Sequence, residues 1–336
     1  MQRRLAAHQP HVIRLKCPQE THHCTVKDLV FGDVIVDLST LDDQILLKSD
    51  GYPTYHLSSV VDDHYMRITH VIRSSAWLMN SAKHLFLYER FGWPLPMFAH
   101  IPPIAQAEFK NSVRECRHIG IVPPALINFT GSMGWHPEEK REIWSLDTVL
   151  REFSLGKVKR KVVTADKARL MWMNRQHIRN STDHELRRWV ESFAALRKDT
   201  HQPDVYDLAG LRLLRPRLKT LRELHTQYEY MFADPRVDNL AVSLLLCRTD
   251  AKRLARDFEA RLAHIDAFDS ANIEATVRTV ASELGEPAET AINALRLFIT
   301  ASAASPDLFE LMTVLGRATC RRRLLRFIRG SHRDGD

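Results

Sequence analysis

The chain has 336 residues, of which 44% are hydrophobic and 26% are charged. This balance is typical of a soluble globular protein with two or three cores, and it excludes a disordered chain, a collagen and a disulfide scaffold. Charged residues interrupt every apolar run before it reaches the roughly 18 to 20 residues of a membrane-spanning helix. The sequence therefore predicts no such helix.

The net charge of +7 is unevenly distributed along the chain. Residues 1–150 carry a net charge of −1, and residues 151–336 carry +8. The excess of lysine and arginine in the second half predicts a surface that can meet a phosphate backbone. A well-solvated helical surface explains the same charge equally well, so composition alone leaves both interpretations open.

Five cysteines, an odd number, are scattered along the chain without a Cys-x-x-Cys pair: Cys17, Cys24, Cys116, Cys247 and Cys320. This spacing favours free thiols in a reducing compartment. Residues 17–24 also contain His22 and His23, which together with two of the cysteines could hold zinc. A zinc site needs about four convergent ligands and no second cluster offers the rest, so we expect loop or edge-strand residues and no metal.

In chain order, the first hundred residues read as strands and short helices. Short β-branched or alternating runs predict strands at residues 12–15, 33–37, 44–48 and 66–72. Residues 77–91 keep apolar side chains at helical spacing, and Gly92 and Pro94 predict where that helix ends. A strand that feeds a helix in this way indicates an α/β unit.

From about residue 105 onward the pattern is helical. Ser145 and residues 181–183 predict helix caps. Further amphipathic helices are predicted at residues 250–263, 273–284, 287–300 and 307–329, the last with basic residues 321–323 behind its apolar stripe. We find no internal repeat, and we place domain boundaries near residues 105 and 190.

Several motifs resemble glutamyl-tRNA synthetases of the bacterial and mitochondrial type. The most specific are KSDGYPTYHL at residues 48–57 and VDDHYMRITHVIR at residues 61–73. The resemblance continues through FGWP at 91–94, FAHIP at 98–102, PALINF at 124–129, WMNRQHIR at 172–179 and FITASAASPDLFELM at 298–312. It therefore covers essentially the whole chain.

The resemblance implies a fold class: the second half of a Rossmann-like class I catalytic domain, followed by all-α helical-bundle domains that bind the anticodon. Residues 1–45 correspond to a remnant of the inserted acceptor-binding domain, and residues 46–104 to the second half of the catalytic domain. Residues 105–190 correspond to a helical stem-contact domain, and residues 191–336 to the anticodon-binding domain.

The resemblance also implies an activity, which is the ATP-dependent ligation of glutamate to tRNA. Arg73 and Tyr55 stand where the family binds glutamate, and the planar fork of arginine suits a carboxylate. Without the resemblance, a surface ion pair and half-buried packing would account for these two residues. Asp62, Asp63, His64 and Trp77 are expected to organise the pocket, and none of them receives a catalytic step.

The family holds ATP, with Mg²⁺, by two clamps. The first is a His-Ile-Gly-His-type sequence at a helix N-terminus. Here only His118-Ile-Gly-Ile121 occurs, with no predicted strand before it, and we interpret it as a coincidence. Since residues 3–16 match the end of the acceptor-binding insertion, we expect that the first half of the catalytic domain is missing.

The second clamp is a mobile Lys-Met-Ser-Lys-Ser-type loop that neutralises the triphosphate. Residues 105–112 stand in its place with Lys110 as their only cation. Arg67 replaces a glycine usual in relatives, and Ser74-Ser75-Ala76 replaces a segment that carries an acid. We therefore expect neither productive ATP binding nor activity from this chain alone.

The basic second half supplies candidates for tRNA phosphate contacts: Lys157, Lys159, Arg160, Lys161, Arg187, Arg188, Arg212, Arg215 and Arg217. A solvated helix face is the alternative for them. Two alternatives to a synthetase stay open: a non-catalytic, tRNA-binding or complex-forming relative, and a truncated version of an active enzyme. A protein partner could cover the broken sheet. On the resemblance alone, we expect the mitochondrial matrix rather than the cytoplasm.

Overall fold

The computed structural model describes residues 9–18, 23–105, 112–139, 141–197, 207–235 and 251–329. The chain forms two compact units. Unit 1 comprises Met1–Lys110 and Ile127–Lys167, and unit 2 comprises Asn111–Leu126 and Ala168–Asp336. The division of the chain into four family domains stays a prediction.

Unit 1 contains the strands. They are β1 (Ile13–Arg14), β2 (His23–Asp28), β3 (Gly32–Asp37), β4 (Ile45–Leu47), β5 (His70–Ser74), β6 (Met97–Ile101), β7 (Ile104–Ala105) and β8 (Val163–Thr164). The main sheet has the order β3-β2-β6-β5. In it β2 and β3 are antiparallel, while β6 is parallel to both of its neighbours. A mixed sheet of this kind agrees with the predicted partial Rossmann-like fold.

The helices, in chain order, are α1 (Tyr55–Tyr65), α2 (Ser81–Phe91), α3 (Val113–His118), α4 (Pro123–Gly134), α5 (Leu146–Glu152), α6 (Lys167–Arg179), α7 (Asp183–Arg197), α8 (Leu208–Leu214), α9 (Glu223–Thr226), α10 (Ala251–Leu262), α11 (Ser270–Glu283), α12 (Ala288–Thr300) and α13 (Leu308–Arg329). None of these helices is both long enough and apolar enough to cross a bilayer.

A β5-α2-β6 crossover brings together the polar side chains of unit 1 that are described in the next section. The two strands are parallel and in a register that sets Arg73 opposite His100. Helix α2 packs on β2, where Val26, Val36 and Ala82 form a buried cluster. On its other side α2 meets α1. The crossover therefore brings side chains from β2, β5, β6, α1 and α2 into one neighbourhood.

The predicted strands at 33–37 and 44–48 and the helix stop at Gly92 are confirmed. Gly92 adopts φ +67°, a left-handed conformation that a glycine takes at no steric cost. The strand predicted at 66–72 is wrong in its first half, because β5 begins only at His70. Residues 66–68 close the end of α1 instead, with Arg67 at φ +57°.

Two further expectations are corrected by backbone hydrogen bonding. Residues 75–77 form a 3₁₀ turn in which the Ser74 hydroxyl accepts from the Ala76 N–H, so the helix predicted at 77–91 begins only at Ser81. The region after residue 105 is not wholly helical, since β7 pairs with β8. The backbone of a short strand edge needs partners, and this pairing supplies them.

Unit 2 is helical in its described part. Helices α10 to α13 enclose a core in which Phe258, Val277, Leu295 and Leu324 are almost fully buried. The predicted caps are confirmed: the hydroxyl of Ser145 accepts from Thr148 in unit 1, and Thr182 and Glu185 cap α7 reciprocally in unit 2. Helix α7 runs without a break across residue 190, where the sequence suggests a soft boundary.

Candidate functional site

The guanidinium group of Arg73 is held by four side chains. Its Nε donates to His100 Nε2 at 3.0 Å, and its Nη2 donates to Ser81 Oγ at 2.8 Å. Its Nη1 lies 3.2 Å from His84 Nδ1 and 3.5 Å from the hydroxyl of Tyr55, the latter at the outer limit of a hydrogen bond. Among the described residues, Arg73 forms no ion pair with a carboxylate.

These contacts determine where the histidines carry their protons. Every N–H of an arginine can only donate, so His100 Nε2 and His84 Nδ1 must both be unprotonated. The proton of His100 therefore lies on Nδ1, 2.6 Å from Oδ2 of Asp28. The proton of His84 lies on Nε2 and is donated to Nδ1 of His56 at 2.9 Å.

All three imidazoles are buried and neutral at pH 7. Burial, with the charge of Arg73 as a second cause, lowers the pKa of His84 to about 3. Burial also lowers the pKa of His56 and of His100, although the hydrogen bond to Asp28 opposes the change at His100. The Arg73 charge thus faces neutral acceptors and leaves N–H groups for a ligand.

Asp28 anchors this arrangement from the end of β2. Its Oδ1 accepts from the backbone N–H groups of Val30 and Phe31, which closes the turn between β2 and β3. Its Oδ2 accepts from both the backbone N–H and the imidazole of His100. One buried carboxylate therefore joins the turn to the site.

The structure brings together three of the predicted pocket residues. The rings of Tyr55 and Trp77 lie 4.6 Å apart, and Tyr55 reaches Arg73 as described. Tyr55 is 47% exposed and Trp77 36%, so a ligand at Arg73 can reach both rings. These side chains, with Arg73 itself, define what we call the Arg73 site.

The other pocket predictions lie on the C-terminal half of α1. Asp63 lies within electrostatic range of Arg73, but burial is the larger effect and raises the pKa of its carboxyl. His64 stacks on Trp93 with ring centroids 3.9 Å apart. Asp62 is exposed. Neither His64 nor Asp62 forms a hydrogen bond to Arg73, and their organising role stays a prediction.

Sequence reasoning missed the residues that hold Arg73, namely Asp28, His56, Ser81, His84 and His100. His56 and His100 do occur in quoted motifs shared with the family, but neither motif assigns them a partner. Only the register of β5 and β6 and the burial of α2 place them against the guanidinium group. Three histidines in otherwise apolar, buried stretches are the signal that could have indicated them.

The four candidate basic residues of unit 1 divide into a paired and an unpaired group. Lys157 forms an exposed ion pair with Glu138 at 2.7 Å. Lys159, Arg160 and Lys161 are exposed, and none of them forms an ion pair with a described residue of the chain. These three, which we call the 159–161 run, have their charge available for an anionic partner.

In unit 2 several of the candidate arginines are already paired. Arg187 meets Glu191 at 2.9 Å, and Arg212 and Arg215 both bind Asp183. Arg188 is exposed. Such exposed pairs contribute little stability and can be exchanged for phosphate contacts. Their role in binding tRNA stays a prediction.

The structure also bears on the two clamps. His118 is the last residue of α3, and Gly120 follows it at φ +81°, so His118-Ile-Gly-Ile121 lies after a helix and not after a strand. The interpretation as a coincidence agrees with this position. Lys110 lies outside the described residues. Within the described ranges, no group of three His, Cys, Asp or Glu side chains is arranged to hold a metal ion.

Comparison with protein families gives two matches that together cover residues 1–328. Residues 1–172 match the catalytic domain of class I tRNA synthetases for glutamate and glutamine, and residues 170–328 match an anticodon binding domain. Among curated proteins, a glutamate–tRNA ligase of Chloroherpeton thalassium is 33% identical over 98% of this chain and 69% of its own length. The ligase of Thermus thermophilus is 34% identical over 95% and 69%.

Solved structures give the same result. A glutamate tRNA ligase from Elizabethkingia meningosepticum, determined in complex with its amino acid, superposes with a TM-score of 0.78. It is 26% identical, and the match covers 98% of this chain and 70% of that one. The glutamate-tRNA synthetase of Elizabethkingia anophelis superposes with a TM-score of 0.75 at 27% identity over the same shares.

Proposed function

The chain belongs to the glutamyl-tRNA synthetase family of class I, and from that premise we propose that the Arg73 site binds the carboxylate of glutamate while unit 2 contacts tRNA. The carrying observation is the electrostatics of Arg73: a half-buried cation whose acceptors are all neutral. Removing a cation from water without an anionic partner is unfavourable. A bound carboxylate supplies that partner.

The geometry of the site suits an amino acid with a carboxylate side chain. Arg73 anchors one side of its fork on His100 and Ser81, which fixes the plane of the guanidinium group. A planar fork binds a carboxylate through two parallel hydrogen bonds. The Tyr55 hydroxyl lies beside Nη1 and can donate a further hydrogen bond to the same ligand.

Calorimetric titration of glutamate tests this proposal. Arg73→Gln removes the charge and should weaken binding by about tenfold to a thousandfold, in line with losses at charged hydrogen bonds. Arg90→Gln is the matched control, because Arg90 is exposed at the end of α2. Equal affinities for Arg73→Gln and the unmodified chain would contradict the proposal. Absence of glutamate binding to the unmodified chain would contradict it as well.

The residues described around Arg73 do not fit ATP and Mg²⁺. Arg73 is assigned to the carboxylate of glutamate, the imidazoles beside it are neutral, and Lys83 is buried against Asp42 and Gln44 at 2.6 Å each. Lys83 is thus held by its own partners, and within the described residues no group of three His, Cys, Asp or Glu side chains is arranged to hold a metal ion. We assign no step to ATP.

It follows from this misfit, and from a segment 105–112 with one lysine, that the 336-residue chain does not form glutamyl-adenylate by itself. Exchange of pyrophosphate into ATP in the presence of glutamate measures that step. The expected result is no exchange above a sample without protein. Glutamate-dependent exchange by the purified chain would overturn this part of the proposal, whatever its affinity for glutamate.

The tRNA contact rests on the anticodon binding domain matched at residues 170–328 and on the positive second half. Filter binding of glutamate-accepting tRNA over a salt series tests it, since phosphate contacts make affinity fall steeply with salt. Binding that is weak and independent of salt would refute it. Retained tRNA binding without adenylate formation would favour the non-catalytic relative over the enzyme.

A protein partner along β5 completes the proposal. Strand β5 ends the described sheet, so its outer edge has no described neighbour, and Ile72 on it is 52% exposed. An extended polypeptide strand of the partner would pair with that edge. Light scattering with size exclusion distinguishes a complex from a monomer.

We also propose that the protein is located in the mitochondrial matrix, which cell fractionation tests.

A further inference from the structure

Asp28, His100 and Arg73 form a continuous hydrogen-bonded line across three neighbouring strands. The Asp28 carboxylate lies on β2, the imidazole on β6 and the guanidinium group on β5. The two links measure 2.6 Å from Oδ2 to Nδ1 and 3.0 Å from Nε2 to Nε. Asp28 is 6% exposed and His100 is fully buried, so water does not compete for either link.

We propose that His100 is a positioning residue for Arg73. The Asp28 carboxylate keeps the imidazole proton of His100 on Nδ1, so Nε2 stays an acceptor. Nε2 then fixes the guanidinium group of Arg73 for a carboxylate ligand. This inference rests on the proposed function for its ligand. His100 touches no substrate itself. It acts by holding the residue that does.

The neutral imidazole between the two charges is the essential feature. A carboxylate in direct contact with Arg73 would satisfy the guanidinium group and compete with any incoming anion. The imidazole instead takes one N–H of Arg73 and leaves its charge unneutralised at contact distance. Asp28 is thereby able to orient the cation without occupying its ligand position.

The same line makes the site sensitive to acid. A proton on Nε2 would turn His100 into a donor that faces the donors of Arg73. The charged or titratable groups that act on His100 are Asp28 from β2, Arg73 from β5 and His84 from α2, and His84 in turn faces Lys83 from α2 and His56 from α1. Burial and the charge of Arg73 disfavour that proton, while Asp28 favours it. Since burial lowers the pKa of His100, glutamate binding is retained at pH 7 and is lost as pH falls through that lowered pKa.

Two substitutions separate positioning from packing. In His100→Gln the side-chain carbonyl can reach the place of Nε2 and accept from Arg73. In His100→Asn the shorter amide can donate to Asp28 in place of Nδ1, but it cannot reach the place of Nε2, so the Arg73 Nε–H loses its acceptor. Glutamate affinity should stay within about threefold of the unmodified chain in the first variant and fall about tenfold to a hundredfold in the second, the effect of one hydrogen bond to a charged group.

The readout that packing would not move is the Arg73 Nε–H signal in ¹H–¹⁵N spectra of the full chain. It should be protected from exchange in the unmodified chain and in His100→Gln, and lost in His100→Asn. Losses of affinity that follow the melting temperature of the two variants, without this pattern, would overturn the proposal.

Spectra of ¹⁵N-histidine-labelled unmodified chain test the inference even if a variant fails to fold. An unprotonated Nε2 and a protonated Nδ1 of His100 are expected, and the reverse tautomer would refute the positioning role. If the unmodified chain binds no glutamate but shows the expected tautomer and a protected Arg73 Nε–H, the proposed ligand is wrong and the positioning of Arg73 stands.

Discussion

Removal of the Asp234 carboxylate should destabilise unit 2 more than any exposed charge in the chain. Asp234 binds Arg322, Arg323 and Arg326 at 2.9 to 3.2 Å. The Arg323 side chain is only 3% exposed, and its guanidinium group also donates to three backbone carbonyls. Asp234→Asn therefore leaves a buried cation without its anion.

The magnitude follows from burial. Removing one partner of a fully buried ion pair costs about 3–5 kcal/mol, and since the Asp234 side chain is 21% exposed we expect about 2–3 kcal/mol. For a unit of this size that corresponds to a fall of about 4–12 °C in melting temperature. The exposed pair of Glu274 and Arg278, four residues apart on α11, provides the control: Glu274→Gln should cost about 0.3–0.5 kcal/mol.

The dependence on pH has a definite sign. The hydrogen bonds from Arg322 and Arg323 hold the pKa of Asp234 far below its usual range. Its stabilising contribution is therefore complete above the unfolded pKa of about 3.9 and is lost as pH falls toward the folded pKa. Calorimetric scans of unmodified chain and Asp234→Asn should converge in acid. A loss below 0.5 kcal/mol at pH 7, or curves that stay parallel in acid, would refute the reasoning.

Three other changes give measurable outcomes. Gly120→Ala should cost at least about 2 kcal/mol in urea unfolding, because at φ +81° its Cβ would lie 2.6 Å from the Leu221 backbone nitrogen. Gly285→Ala, at φ +69° with open space around it, should cost only about 1–2 kcal/mol, and equal losses would contradict this account. Neutralising the 159–161 run to glutamine should reduce the salt slope of tRNA binding by up to about 3, with an unchanged slope as the contrary result. Asn174→Ala should cost about 2–4 kcal/mol in urea unfolding, because the buried amide joins the Val122 N–H to two carbonyls, and a loss under 0.5 kcal/mol would show that water replaces it.

Local signals in the sequence were sufficient where the physics is local. Gly92 ends α2 because it adopts the left-handed conformation itself directly after the last helical residue, and Ser145 caps α5 through its own hydroxyl. The prediction at residues 66–72 is partly wrong because a local pattern was overridden by hydrogen bonds at a helix end. Alternating apolar residues predict a strand, but the backbone N–H groups of residues 66–68 donate to carbonyls in the last turn of α1.

The site residues also fall into two groups, those that local motifs predict and those that only the fold brings together. Tyr55, Arg73 and Trp77 were found because each stands in a motif shared with the family. Asp28 and His100 are 72 residues apart, and no spacing rule connects them. Their contact exists because β2 and β6 are neighbours in the sheet, a fact of register that periodicity cannot supply.

Arg323 and Arg73 each form four hydrogen bonds to described residues, but they serve different purposes. Arg323 meets a carboxylate and three carbonyls, so its charge is neutralised inside unit 2 and no anion is needed. Arg73 meets imidazoles and a hydroxyl, and its counter-charge on Asp28 stays one ring away. An arrangement that only stabilised the fold would bring a carboxylate into contact, as Asp234 does for Arg323. Because burial keeps the imidazoles neutral, the charge of Arg73 remains available, and this is the physical reason to assign a carboxylate ligand to it.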